Sequence, residues 1–155
     1  MPKSAINCAV SYYILLLKLF SALSPVMLLV ARLVIAKVFL SSGLVKIEDF
    51  GSTVALFRDE YKTPFLPPEI AAFSATFFEL ACSCLLAIGL ASRLATLPLL
   101  GMTAVIQFTY DQNVQHLFWA VILGMILTQG AGRLSADYFI GNYQKEKNHG
   151  QTQLS

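Results

Sequence analysis

Glu79 is the residue of this 155-residue chain that most needs a partner. It stands near the middle of residues 70–92, a stretch with no other Asp, Glu, Lys or Arg before Arg93. A carboxylate at the centre of a bilayer costs about 2.5–3.5 kcal/mol on insertion scales, so Glu79 must be protonated, hydrated or paired. Two cations lie within another long apolar stretch, residues 25–45: Arg32 and Lys37. Depth favours Lys37, counted at about 1.5 Å per residue. Face favours Arg32, because Arg32, Phe39, Gly43 and Lys46 follow one another at steps of seven, four and three and so share one helical stripe. Gly43, with Ser41 and Ser42 beside it, lets a neighbouring helix approach closely. The chemistry open to such a charge is either a structural lock between two helices or the handling of a proton or ligand.

A second group carries donors rather than a carboxylate. Lys46 ends the stripe, Gln107 lies toward the end of one apolar stretch, and His116 opens the next, one turn before Trp119, the only tryptophan. An ammonium, an amide and an imidazole suit a quinone carbonyl, with Phe39, Phe108 and Trp119 to hold a ring and tail. The alternative for His116 and Trp119 is an interfacial belt at headgroup level. Cys82 and Cys84 are two residues apart and point to different sides of a helix, so they neither pair nor chelate one metal; Cys8 has no partner, and no metal site is expected. None of the glycine-rich, nucleophile-elbow, paired-cysteine or zinc-protease motifs is present, so the chain has no catalytic motif of its own.

The elements that must position these residues are helices in a membrane. With 56% hydrophobic and 13% charged residues, the chain has half the usual charge density of a soluble domain. A formal net charge of +2 removes the basic surface that nucleic-acid binding requires. Residues 70–92, 94–110 and 112–132 are long enough and apolar enough to read as spans, and residues 25–45 form a fourth that must pack against protein because of its charges. Short joins near Gly89–Arg93 and Asp111–Gln115 make neighbours antiparallel. The expected fold is therefore an all-α antiparallel four-helix transmembrane bundle over residues 25–141. A flexible tail follows at 142–155.

Residues 1–24 read as an N-terminal interfacial helix that turns into the bilayer at Pro25, with Lys18 arguing against a cleaved signal. The one long polar connection carries Phe50, Val54, Phe57 and Tyr61 at helical steps, which predicts a short amphipathic helix ended by Pro64, Pro67 and Pro68. Lys3, Lys18, Arg93, Arg133, Lys145 and Lys147 fall on one side of the bundle, against Lys46, Arg58 and Lys62 on the other. That asymmetry puts both termini in the cytoplasm. After the last span, Gly130 and Gly132 can cap a helix, Arg133 can sit at the headgroups, and Ser135 and Asp137 can accept from freed backbone donors.

Three patterns in order resemble a known family. Arg32-x6-Phe39-x3-Gly43-x2-Lys46, then Glu79-x9-Gly89-Leu90-x2-Arg93, then Gly130-Ala131-Gly132-Arg133-Leu134-Ser135-Ala136-Asp137 are similar to the pattern of the DoxX family of small bacterial four-helix membrane proteins. The resemblance covers roughly residues 25–139 and implies that Arg32, Lys46, Glu79, Arg93 and Asp137 are its polar positions. Lys37 has no counterpart, which points to Arg32 as the partner of Glu79. Some relatives are associated with membrane oxidoreductases, including thiosulfate:quinone oxidoreductase. The resemblance thus implies an accessory subunit of the bacterial inner membrane that faces a quinone, with the lipid bilayer, a redox enzyme subunit or another copy of the chain as partners. The alternative is a binding, carrier or assembly module for a small amphiphile without redox chemistry.

Overall fold

Helix is the only regular structure among the described residues, 3–61, 66–109 and 113–152, of a computed structural model. The order is α1 (Lys3–Glu48), α2 (Phe50–Leu56) running into a π-helical turn (Phe57–Tyr61), α3 (Pro68–Ile88), α4 (Ser92–Thr109), α5 (Val114–Gln129) and α6 (Ala136–Thr152). Each boundary has a local cause. Asp49 caps α2 by accepting from the Ser52 N–H at 2.9 Å and the Ser52 hydroxyl at 2.6 Å, and these bonds hold its carboxyl below the usual range. Pro68 occupies the first turn of α3, where its missing N–H costs nothing. Asn113 caps α5 through the Gln115 N–H at 3.0 Å.

Two of these helices are long and apolar enough to cross a bilayer: the 39-residue portion of α1 from Val10 to Glu48, and α3 with 21 residues. At 16 residues α5 falls short of the usual length of about 20, and α4, at 18 residues, is made less apolar by Arg93, Thr96, Thr103 and Gln107. Against the expectation for residues 1–24, α1 does not turn at Pro25 but continues through it. Continuing the helix forfeits one N–H, whereas ending it and starting another leaves about four donors and four acceptors to satisfy in an apolar medium. The short connecting helix forms as expected, with Phe57, Val54 and Tyr61 packed on Ala71, Ala72 and Ala75 of α3. Pro64 lies outside the described residues.

The main packing is of α1 on α3 and α5, α3 on α4, and α4 on α5. Their shared core is Ile35, Ala36 and Phe39 from α1, Cys82 and Leu86 from α3, Ala95 and Leu99 from α4, and Leu123 and Ile126 from α5. On α1 the buried positions 28, 32, 35, 36, 39 and 43 follow the helical period, so one stripe faces protein, while most other residues from 10 to 48 are exposed and largely apolar. Gly43 lies against Leu80 so closely that a Cβ would sit 2.9 Å from its side chain. Lys46 meets Glu79 while Arg32 lies beneath Gly89, so α1 and α3 run in opposite directions.

Candidate functional site

Lys46 is two residues from the end of α1, and Glu79 is inside α3. The close approach at Gly43 brings them together. Lys46 Nζ donates to Glu79 Oε1 at 3.0 Å and Oε2 at 2.9 Å, and to Ser42 Oγ at 2.6 Å. Glu79 is 3% exposed and the Lys46 side chain 15%. The partner of Glu79 is therefore Lys46, not Arg32, and Lys37 is exposed. Arg32 and Lys46 share a stripe but stand about 21 Å apart along it, so face alone cannot choose between them. Register does: Gly89, at the far end of α3, lies over Arg32, and ten residues back along the antiparallel helix is Glu79, at the level of Lys46.

The pair forms part of the wall of an apolar cavity of about 340 Å³. Ala71, Ser74, Ala75 and Phe78 of α3 and Pro98, Gly101, Met102, Val105 and Ile106 of α4 line it, and Phe57, Tyr61 and Leu66 complete it from the connecting segment. Small residues on α3 and α4 leave the space: a Cβ on Gly101 would meet nothing within 4 Å. The charge stripes of the sequence do not reveal the cavity. On another side, Lys46 borders an open polar cleft with Ser42, Asp49, Ser52 and Thr53. The ion pair thus stands between the apolar cavity and an open cleft that carries several hydroxyls and the Asp49 carboxylate.

Arg32 has a different task. It is 2% exposed, and its Nη1 and Nη2 donate to the carbonyls of Ala131 at 2.6 Å and Leu134 at 3.0 Å. Asp137 is its electrostatic partner. The Asp137 carboxylate in turn accepts from the Ala91 N–H at 2.7 Å and the Ser92 N–H at 3.1 Å, and its own N–H donates to the Gly89 carbonyl at 3.0 Å. The cation therefore lies by the C-terminal ends of α3 and α5 and the anion at the N-terminal end of α4, each the sign that the helix dipole favours. Ser135 Oγ donates to the Gly132 carbonyl at 2.6 Å and accepts from the Tyr138 N–H at 3.3 Å. Arg93 donates to the Thr128 carbonyl at 3.2 Å and covers Gly130, while Arg133 is exposed beside a second open cleft that Arg93 and Gly130 also line.

The donor group around Lys46, Gln107, His116 and Trp119 is not gathered at that pocket. Trp119 packs edge-on against Phe39 at 5.8 Å and His116 at 5.1 Å between ring centroids, and none of Gln107, His116 and Trp119 lines the cavity beside Lys46. Gln107 Oε1 is buried without a hydrogen-bond partner. All three hydrogens of the Lys46 ammonium are spent on Glu79 and Ser42, so it holds none for a carbonyl. Cys82 is buried in the core and Cys84 exposed, and both are free thiols.

The family model described as DoxX matches residues 27–112. That stretch holds Arg32, Lys46, Glu79 and Arg93, and it ends before Asp137. Neither the curated proteins nor the solved structures contain a match to the chain.

Proposed function

We propose, since the chain belongs to the DoxX family, that it is a four-span protein of the bacterial inner membrane with both termini in the cytoplasm, and that it binds a small lipid-like amphiphile. The observation that carries this reading is the apolar cavity of about 340 Å³ with the Lys46–Glu79 pair in its wall. That volume falls in the range of small-molecule sites, which combine apolar lining with a few placed polar groups. A pair needed only to lock two helices would be as well served by packed apolar side chains.

The site itself can be closed without disturbing the pair. In Gly101→Leu the new side chain has free space at its Cβ and raises the helix propensity of α4. Native mass spectra of the wild-type protein are expected to show a bound amphiphile that Gly101→Leu loses, while thermal stability stays the same or rises. Retention of the adduct by the variant would remove the cavity as the site.

Pairwise helix packing and the six-to-three division of basic residues support the proposed topology. In a background without native cysteines, Glu60→Cys and Lys145→Cys are expected to label from opposite faces of the membrane with an impermeant maleimide. Labelling from one face would overturn the four-span arrangement. The second reading is an accessory, quinone-facing subunit of a membrane oxidoreductase. It draws on the family resemblance and on the partly buried Trp119 and His116 rings, which meet edge-on beside Phe39.

A further inference from the structure

The polar inventory of the Lys46 cavity is one-sided. Its charged wall consists of Lys46 and Glu79, and the ammonium has no hydrogen left once Ser42 and both Glu79 oxygens are served. Glu79 takes two of those bonds and a further one from the Ser42 hydroxyl, and of its roughly four lone-pair sites one remains open. The Ser74 hydroxyl donates to the Ala71 carbonyl at 3.0 Å, which leaves its oxygen as an acceptor. Tyr61 is engaged in contacts of its own, the Phe57 ring among them. The other lining side chains are apolar. Lys46, Glu79 and Ser74 between them hold a surplus of acceptors.

Resting on the amphiphile-binding reading, we infer that the cavity selects a single-chain amphiphile whose head is a hydroxyl donor, an alcohol or phenol, over one whose head offers only a carbonyl or ether oxygen. The head donates to the Glu79 carboxylate and the chain lies along Ala71, Ala75, Met102 and Val105. A carbonyl head finds no spare hydrogen on Lys46 or Ser74. To bind, it must take a hydrogen from the Lys46–Glu79 pair, which leaves a nearly buried carboxylate short of a bond.

Three probes with one tail and one ring separate these cases: 4-pentylphenol, 4-pentylanisole and 4-pentylacetophenone. Each is titrated calorimetrically into the full chain in nanodiscs, with Gly101→Leu nanodiscs giving the heat of simple partition into lipid. The phenol is expected to bind saturably and at least about tenfold more tightly than the ether or the ketone, the difference expected for a hydrogen bond to a charged acceptor. Ser74→Ala, which leaves the ion pair intact, is expected to preserve that preference because Glu79 is the principal acceptor. Equal affinities for the three heads, or a preference for the ketone, would overturn the donor assignment while leaving an occupied cavity. Absence of saturable binding by all three would overturn the amphiphile-binding reading with it.

Discussion

Lys46→Met is expected to destabilise the protein more than any other single change in the α1–α3 interface. It removes the counter-charge and all three hydrogen bonds of the ammonium, leaving a 3%-exposed carboxylate with no cation beside it. Breaking a buried pair from one side costs roughly 3–5 kcal/mol in soluble proteins, and less is expected in a bilayer, where the unfolded reference also finds partners. Glu79→Gln is expected to cost less. The lysine it strands is near the end of α1 and borders the polar cleft, so its long stem can carry the ammonium into water. The double change Lys46→Met with Glu79→Leu is expected to recover much of the loss, because neither charge is then buried alone. Arg32→Met combined with Glu79→Gln is expected to be additive, since those residues occupy different levels of α1 and α3 and share no partner. Thermal unfolding in detergent measures all of these. Additivity for Lys46 with Glu79, or recovery for Arg32 with Glu79, would reverse the assignment of the pair.

That choice of partner shows where the sequence is legible and where it stops. Helical character and the absence of a soluble core follow from composition and the length of the apolar stretches, because those properties are local. Glu79 is recognisable as a residue under constraint for the same reason: a lone carboxylate in an apolar run has to be satisfied by something. The identity of its partner is a matter of register between two helices. The sequence stripe contains both Arg32 and Lys46, but where α1 ends and where α3 begins set the level at which each meets its neighbour. Pro25 looked like a helix start and is interior, while Pro67 and Pro68 fix the start of α3. The cavity is less legible still. It arises because Ala71, Ala75 and Gly101, on two helices, come to face one space, and no short-range pattern records such a coincidence. The closing motif from Gly130 to Asp137 is legible as capping chemistry, but the buried guanidinium it receives comes from about 100 residues earlier.

Arg32 and Gly89 form the second place where a small change is expected to have a large effect. Arg32→Met takes the donors away from the Ala131 and Leu134 carbonyls and the cation away from Asp137, a loss on the order of 3–5 kcal/mol by the measure of charged hydrogen bonds and buried pairs. Arg32→Lys is expected to recover little, because a single ammonium cannot reproduce the planar fork that spans two carbonyls three residues apart. Gly89 tests the same construction from the other side. Its φ of +79° costs an L residue about 1–2 kcal/mol. A Cβ there would also stand 2.7 Å from Arg32 Nη1 and from Ser135 Cβ, so the guanidinium must leave its carbonyls or the α6 end must shift. Gly89→Ala is thus expected to cost clearly more than the backbone strain alone. Gly124→Ala, inside α5 with nothing within 4 Å of the new Cβ, is expected to be neutral or stabilising by up to about 1 kcal/mol. In the Arg32→Met background the penalty of Gly89→Ala is expected to shrink toward the strain value, since one of its two collisions has gone. Unfolding midpoints of these variants decide it: an undiminished penalty for Gly89→Ala without the arginine would mean that Arg32 does not hold the end of α3 in place.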